Sequence, residues 1–491
     1  MGFKANTSFL RFLTMGTVGV RQTMRQLETA GFQPIELERY CGSNKIWTTK
    51  VKRLRLPDLL CVRTGLRVEV RAKSDLKIRM SDAPNNPERR WDAGLRDDDL
   101  AAFITCFETD ADYRPAEKAV LFTIRALRDC IEQSTLGPPK SASEGAERDR
   151  TWPATVPTRD GVVQTVDPEK LVVQMDGNGR AGRRQTYQLR GKNVYVSPGN
   201  SFKAGVSILA GAPASLADLN YYLTRRYDPI QDLHSQNDVD RYAAVKALPY
   251  REDLRSQAVN ALEQLLREEA EERVALEAAG AAAALGSPAG QEWINSVLWG
   301  DGRADLRMEA VLILTELGSV FAREELRRIA ADHKFMGDEI RQAAVWSLGK
   351  AGLKVYDDLL PFIDDEDENV ALHAIIALGE DTPKAVVEKL VQALQTGNPR
   401  RAPAASEALK NINNDSVVEA LVEAVQIGGS AQGWILATLG RLSPEIVQQR
   451  LAGTPLLEQI APMLLIAQGA NWLSTEAAIS DISFLVKQNF Y

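Results

Sequence analysis

The clearest pattern along the chain is a series of alanine-rich apolar runs in its second half. Five runs end in Leu-Gly and one in Leu-Lys, with successive spacings of 32, 31, 30, 31 and 30 residues between Leu285, Leu317, Leu348, Leu378, Leu409 and Leu439. A fixed period of this length, with two helical stretches per unit, indicates helical pairs that bury their apolar faces by stacking on their neighbours. The pattern predicts an α-solenoid over residues 214–491, in which Gly349 takes the left-handed position that ends a helix and 356–362 forms a second helix.

The first 133 residues show a different pattern, in which helical and alternating stretches are mixed. We predict helices at 18–30 and 97–107 and strands at 34–39, 45–54, 59–62, 67–72 and 119–124. This order is typical of an α/β domain, which we place at 1–133.

Between these regions the chain changes twice. Residues 134–150 are rich in Ser, Gly, Pro and charge and are predicted to be a linker. Residues 151–213 contain short β-like runs separated by Asp-Gly and Pro-Gly, which predict a small all-β module. Its closing phrase, from Val194 to Gly211, resembles the barrel-sandwich hybrid modules of biotinyl domains and RNA polymerase large subunits. A swinging-arm carrier domain would need a modifiable lysine between methionines in a tight turn. The module has no such tripeptide, so we expect it to act as a spacer or docking module.

Charge is distributed unevenly. Residues 1–80 contain 16 Lys and Arg and 6 Asp and Glu, whereas the other 411 of the 491 residues contain 43 and 60, for a net charge of −7. A basic segment in an acidic chain favours contact with a polyanion, because phosphate neutralisation supplies most sequence-independent affinity for nucleic acid. A solvated basic face is the alternative.

Cysteine and histidine usage limits the chemistry. The 4 cysteines form no Cys-x-x-Cys pair and there are only 3 histidines, so no zinc site fits the familiar spacings. This usage favours a reducing compartment, and we expect a cytoplasmic protein with no membrane partner. No stretch is long enough to cross a bilayer.

A set of charged residues in the N-terminal region suggests phosphodiester chemistry. Asp58 follows Pro57, and ten residues later a strand carries Glu69, Arg71 and Lys73 on one face, with Val68, Val70 and Ala72 on the other. Mg²⁺ prefers hard oxygen ligands, so Asp58, Glu69 and the carbonyl of Val70 are candidate ligands for Mg²⁺ or Mn²⁺. A metal so held activates water, and Lys73 is the candidate that orients it.

The phrase Leu66-Arg-Val-Glu-Val-Arg-Ala-Lys after Pro57-Asp58 resembles the PD-(D/E)xK nuclease family over about 100 residues. The resemblance implies a restriction-endonuclease-like domain, metal binding by Asp58 and Glu69, and a catalytic role for Lys73. One position departs from the family: Arg71 stands where its lysine is expected. A guanidinium stays charged and cannot act as a base, so either Lys73 performs that role or the site binds without cutting.

The segment after this strand is dense in arginine beside a tryptophan. We predict that nucleic acid contacts Arg71 and the cations and indole that follow it, namely Lys77, Arg79, Arg89, Arg90 and Trp91. Alternatively, Trp91 fills the core and Asp97 caps the next helix.

The repeats over about 235–490 resemble HEAT repeats, particularly the short form of phycobilin-lyase-like proteins, and this implies a scaffold that binds a partner, expected to be a protein. The fold class is therefore multidomain α+β: nuclease-like domain, barrel-like β module and α-solenoid. The resemblances together imply a metal-dependent DNA endonuclease that acts in prokaryotic defence against foreign DNA. Nucleases of this fold often cut duplexes as dimers, so the resemblance also allows a homo-oligomer. The alternatives are a non-catalytic DNA-binding adaptor with an inactive nuclease fold and a purely protein-binding scaffold.

Overall fold

The computed structural model describes residues 7–38, 47, 49, 54–86, 89–109, 113–139, 146–177, 182–300, 303–334, 336–350, 352–398, 400–427, 432–455, 457–458 and 461–462. The chain divides into two compact units. The first, called the sheet unit, comprises Arg11–Lys45 and Lys52–Trp293. The second, called the repeat unit, comprises Met1–Leu10, Ile46–Val51 and Ile294–Tyr491. The domain limits predicted at 133/134, 150/151 and 213/214 remain predictions.

A six-stranded mixed sheet forms the centre of the sheet unit. Its strands lie in the order β1-β2-β3-β5-β6, and β7 also pairs with β5. The β3–β5 pair is parallel and the others are antiparallel. The strands are β1 (Pro34–Glu36), β2 (Leu59–Cys61), β3 (Leu66–Lys73), β5 (Leu100–Glu108), β6 (Tyr113–Pro115) and β7 (Val120–Thr123).

Helix α1 (Thr7–Thr29) packs on one face of this sheet. A Cβ atom at Gly19 would lie 2.5 Å from the Cβ of Ala72 on β3, so glycine allows the close approach of helix and strand. The apolar side chains between them form a core that includes Met15, Val20, Leu27, Val68 and Val70. The helix predicted at 18–30 and the strands predicted at 34–39, 59–62, 67–72 and 119–124 are present with shifted ends. Most of the strand predicted at 45–54 lies outside the described residues.

The helix predicted at 97–107 is wrong, because this stretch forms strand β5. Residues Leu100 to Cys106 are all buried, so β5 is covered on both faces. A strand with two buried faces has a continuous apolar run, and periodicity cannot distinguish it from a buried helix. The nuclease resemblance also implies a helix between the Glu-bearing strand and its parallel neighbour. The described residues between β3 and β5, 74–86 and 89–99, form no α-helix.

The predicted linker at 134–150 is also wrong for its described residues. Strands β8 (Gln133–Pro139) and β9 (Ala146–Trp152) pair there, and β9 also pairs with β4 (Ile78–Asp82). The three strands form an antiparallel sheet in the order β4-β9-β8. Polar composition misled the prediction, because a strand in a small solvent-facing sheet needs few apolar residues.

The predicted β module is present as two small antiparallel sheets, ordered β13-β12-β11-β15 and β10-β16-β14. Its core includes Val163, Leu171, Val173, Met175 and Leu209. The strands are β10 (Ala154–Thr155), β11 (Gly161–Val166), β12 (Lys170–Met175), β13 (Arg183–Gln188), β14 (Asn193–Val194), β15 (Ser201–Phe202) and β16 (Ala210–Gly211).

Helices follow the β module to the end of the described chain, and the sheet unit extends to Trp293 within them. Short 3-10 helices occur at Leu248–Tyr250, Glu252–Leu254 and Leu360–Phe362. The α-helices are α2 (Ile124–Arg128), α3 (Leu219–Leu223), α4 (Pro229–Asp232), α5 (Asp238–Ala247), α6 (Arg255–Glu268), α7 (Glu272–Ala284), α8 (Pro288–Trp299), α9 (Ala304–Leu317), α10 (Val320–Ala330), α11 (Asp338–Leu348), α12 (Tyr356–Leu359), α13 (Glu368–Ala377), α14 (Lys384–Gln395), α15 (Arg401–Ile412), α16 (Asp415–Ile427), α17 (Gln432–Gly440) and α18 (Pro444–Leu451).

The repeat pattern located the helices well but not every helix end. Gly318 is left-handed at the end of α9, with φ of 59°. The same role predicted for Gly349 is wrong, because its φ is −78° and the chain instead turns with Gly352 at φ of 91°. Among all described residues, no helix combines the length and the apolar character that crossing a membrane requires.

Candidate nucleic-acid interface

The two faces of β3 carry different side chains, as its alternation predicts. Val68, Val70 and Ala72 contribute to the core under α1. Glu69 and Arg71 are in register with Ala101 and Phe103 of β5, on the opposite face. The acid and the cations predicted to share a face of β3 therefore do so.

Asp58 is held at this strand by a hydrogen bond. It follows the buried Pro57 just before β2, and its Oδ2 accepts a hydrogen bond of 2.7 Å from the backbone N–H of Val70. Because Val70 is the residue after Glu69, the two predicted acids come to the same point of β3. The antiparallel β2–β3 pair brings the two acids together across the ten residues between them in sequence.

Glu69 is engaged by a guanidinium. Its Oε1 lies 2.6 Å from Nη2 of Arg71, and the two side chains are 10% and 26% exposed. The Nε of Arg71 also lies 3.2 Å from the sulfur of Met80 on β4. The residue that departs from the nuclease pattern is thus the one that neutralises the predicted metal ligand.

A further arginine, which the sequence analysis did not select, lies beside the same acids. Burial lowers the pKa of Arg55, and the neighbouring cations Arg71 and Arg89 lower it further, whereas Glu69 and Asp58 oppose the shift. Arg55 stands three residues before Asp58 in a basic stretch, and that position was its only sequence signal. We call Arg55, Asp58, Glu69, Arg71 and Lys73 the β3 cluster.

Lys73, at the end of β3, has a perturbed pKa. Burial lowers the pKa of its ammonium first, and the nearby charges of Arg71 and Arg79 lower it further. Asp149 and Asp75 act in the opposite direction but do not cancel the shift. Burial is the main reason that the charged form of Lys73 is disfavoured, and an added anion beside the ammonium would stabilise that form.

The donor set of the β3 cluster fits a divalent metal ion poorly. Asp58 already accepts the Val70 amide hydrogen and Glu69 is bound to Arg71, so a cation at this point would have to displace a guanidinium. Within the described part of the chain, no group of three or more His, Cys, Asp or Glu side chains is arranged to hold a metal. The predicted ligation by Asp58, Glu69 and the Val70 carbonyl stays a prediction.

The cations predicted to contact nucleic acid are paired with neighbouring carboxylates. Lys77 pairs with Asp75, Arg79 pairs with Asp149, and Arg90 lies 3.3 Å from Asp92. Arg90 is the most exposed of these cations, with 64% of its side chain accessible. Ion pairs at such accessible positions are weak, so these cations remain able to approach a phosphate.

Trp91 does not have the exposure that base stacking requires. It is 6% exposed, and its ring lies edge to face with Trp152 at a centroid distance of 5.1 Å. The position of Trp91 agrees instead with the alternative interpretation, in which this residue fills the core. Asp97 caps no helix and instead pairs with Arg125 and Arg128.

The repeat unit has its own candidate surface, a groove beside α10 and α12 with a volume of about 570 Å³. Its charged walls include the ion pair of Arg327 with Asp358. Arg328 lies over the ring of Trp299 at 4.1 Å from the centroid. Such a mixed surface is suited to a protein segment and not to a small apolar ligand.

A histidine lies in the core of the repeat unit. His373 on α13 is 0% exposed and packs against Trp47, with 5.6 Å between ring centroids. Burial lowers its pKa to about 3, with Lys350 acting in the same direction and Asp367 opposing. The imidazole is therefore neutral in the folded protein at every pH above about 4.

This shift predicts a loss of stability in weak acid. The unfolded chain protonates His373 below its ordinary pKa of about 6.5, whereas the folded chain keeps it neutral. The free energy of unfolding therefore declines as the pH falls below 6.5. Between pH 6.5 and 5 we expect a loss of about 2 kcal/mol in the free energy of unfolding. Denaturant titrations at both pH values measure it. His373→Leu should remove this part of the pH dependence, and an unchanged difference between the two pH values would contradict the prediction.

Comparison with known proteins supports the repeats only. Residues 356–431 match the family model described as HEAT repeats, which confirms the predicted HEAT-like character of the C-terminal region over that stretch. No curated protein sequence matches the chain. Nothing in these comparisons bears on the nuclease resemblance.

Three solved structures are similar over about half of the chain, and all three similarities are weak. Human deoxyhypusine hydroxylase in complex with glycerol is 20% identical, covering 50% of this chain and 99% of its own, with a TM-score of 0.22. Two engineered proteins are 15% and 17% identical, each covering 53% of this chain and 87% and 94% of their own, with TM-scores of 0.25 and 0.16. Scores this low carry no argument about fold or function.

Proposed function

We propose that the chain is a non-catalytic scaffold that binds nucleic acid through the β3 cluster and a protein partner through its HEAT-like repeats. The observation that carries the first part is the contact of 2.6 Å between Arg71 and Glu69. This contact supports a non-catalytic role, because a metal ion at Glu69 would have to displace the guanidinium.

The charge of the β3 cluster supports binding to phosphate. Its three cations exceed its two carboxylates, and Arg89 adds a further charge beside it. Burial is the main cause of the lowered pKa of Lys73, and the neighbouring Arg71 and Arg79 lower it further, so an anion beside Lys73 would be stabilising. A phosphate backbone would offset the excess of positive charge and accept bidentate hydrogen bonds from the guanidinium groups.

The second part of the proposal follows from the repeats. HEAT repeats commonly mediate protein interactions, and residues 356–431 match that family. A repeat array presents a long surface whose specificity depends on the side chains it carries, so its partner is a separate question from the nucleic acid.

Metal-dependent phosphodiester hydrolysis is the second candidate, and one observation favours it. The hydrogen bond from Val70 to Asp58 holds an acid beside Glu69, which is the arrangement expected of the PD-(D/E)xK resemblance. In that case Asp58 and Glu69 would hold Mg²⁺ or Mn²⁺, and Lys73, with its lowered pKa, would act on water. This candidate requires Arg71 to leave Glu69.

Incubation with DNA separates the two candidates. With plasmid and linear duplex in Mg²⁺ or Mn²⁺, we expect the full chain to retard DNA on a gel, with a micromolar Kd that rises steeply with salt, and to leave it intact. Asp58→Ala should leave the DNA uncut as before. Metal-dependent cleavage by the wild type that is lost in Asp58→Ala would overturn the proposal and establish the nuclease. Absence of both retardation and cleavage would leave only a protein-binding scaffold.

A further inference from the structure

A segment from the N-terminal half of the sequence is seated in the repeat unit. Trp47 is 4% exposed, and its ring meets Trp346 of α11 edge to face, with 6.0 Å between centroids and an interplanar angle of 82°. His373 of α13 lies on its other side at 5.6 Å. Trp346 and His373 are both 0% exposed. An indole about 300 positions away in sequence therefore completes the packing around two core rings of the array.

The same segment is fixed by a main-chain hydrogen bond two residues later. The N–H of Thr49 donates to Oε2 of Glu339 at 2.7 Å, and the hydroxyl of Thr49 contacts the same oxygen. Glu339 lies in the first turn of α11. An aromatic anchor combined with a nearby backbone hydrogen bond is a common means by which a folded domain recognises a short extended peptide.

The indole of Trp47 is buried, but its Nε1–H group is not used as a hydrogen-bond donor to any described residue. A buried donor without an acceptor is destabilising, because its hydrogen bond to water is lost on burial. The cost favours release of the Trp47 indole into water, which opens the site. A tryptophan supplied in trans bears the same cost and competes through its concentration.

Charge also favours the association. The segment Lys45-Ile-Trp-Thr-Thr-Lys-Val-Lys-Arg contains four basic residues and no acidic residue. The helices that receive Trp47 carry acids at their starts: Asp338 and Glu339 on α11, and Asp367 and Glu368 at α13. Opposite charges across a binding surface accelerate encounter and select against acidic competitors.

We propose that Trp346, His373 and Glu339 form a peptide-binding site on the repeat array. The chain's own segment around Trp47 occupies this site in cis, and a basic protein segment that carries an exposed tryptophan occupies it in trans. The inference deepens the protein-binding part of the proposed function and does not depend on nucleic-acid binding.

The test uses the full-length chain and a fluorescent peptide with the sequence of residues 44–53. In Trp47→Ala the site is vacated, and we expect the peptide to bind with a micromolar Kd in fluorescence anisotropy. In the wild type a tethered competitor acts at an effective concentration of about 1 mM, so apparent binding should be at least ~10-fold weaker. A peptide with alanine in place of its tryptophan should not bind either protein.

A second variant covers the case in which Trp47→Ala does not fold, as judged by circular dichroism. Thr49→Pro removes the N–H that binds Glu339 but keeps the indole, and we expect it to bind the peptide more tightly than the wild type does. Failure of the peptide to bind either folded variant, or equal binding of the alanine peptide, would overturn the inference. Neither result would bear on retardation of DNA, so the two proposals fail independently.

Discussion

Replacing Arg67 with alanine is expected to lower the free energy of unfolding of the sheet unit by about 3–5 kcal/mol. The Arg67 side chain is 2% exposed, and its Nε and Nη2 donate to Asp99 at 3.0 and 2.7 Å. Its Nη1 donates to Asp240 of α5 at 2.8 Å. Alanine would leave the buried carboxylate of Asp99 without its guanidinium, and an uncompensated buried charge costs far more than the loss of an exposed ion pair. Asp240 keeps its ion pair with Arg96 at 2.7 Å, so the loss arises mainly at Asp99.

Denaturant titration followed by circular dichroism measures this loss. Arg125→Ala is the matched control, because Arg125 pairs with Asp97 at 3.0 Å but its side chain is 68% exposed. It should cost less than about 1 kcal/mol. Similar losses for the two variants would mean that water reaches the Arg67 network and that it does not hold β3 to α5.

The local features of the sheet unit could be predicted because they depend on neighbours in sequence. The alternation of Val68, Val70 and Ala72 with Glu69 and Arg71 is a property of a half-buried strand, and it placed each side chain on the correct face of β3. The same method failed for strand β5, because both faces of this strand are buried and its sequence therefore lacks the alternation of apolar and polar residues.

The candidate site was only partly predictable from the sequence. That Asp58 reaches β3 at Val70 follows from the Pro-Asp pattern and the β2–β3 hairpin. The unusual arginine at position 71 indicated a departure from the nuclease pattern but not its contact with Glu69, and the contribution of Arg55 depends on how the loop before β2 folds back. Burial of Trp91 against Trp152 depends on strand β9, which the sequence analysis did not predict because its polar composition is typical of a linker.

Contacts between distant segments had no sequence signal at all. Arg67 and Asp240 are 173 residues apart, and nothing in either neighbourhood indicates the other. The seating of Trp47 on Trp346 is similar, because an isolated tryptophan in a basic stretch matches a solvated loop equally well. Both contacts are set by tertiary packing, which periodicity and propensity do not encode.

Neutralising the β3 cluster is expected to have the largest effect on nucleic-acid binding. In the double variant Arg71→Gln, Lys73→Gln we expect the Kd for duplex DNA to rise about 30-fold, because two phosphate contacts of about 1 kcal/mol each are lost. The slope of log Kd against log salt should fall by about 2, since each contact releases about one counterion. Loss of Arg71 also removes one positive neighbour of Glu69, whose negative charge repels phosphate. Fluorescence anisotropy over a range of salt concentrations measures both quantities.

The control must change the total charge by the same amount at another place. Arg183→Gln, Arg184→Gln on β13 does so, because both side chains are exposed and β13 belongs to a different sheet from β3. If binding depended only on net charge, the two double variants would weaken DNA binding equally, and the assignment to β3 would be wrong. A loss confined to the β3 variant, with the far-ultraviolet circular dichroism of the wild type, would instead assign DNA binding to the face of β3 that carries Arg71 and Lys73.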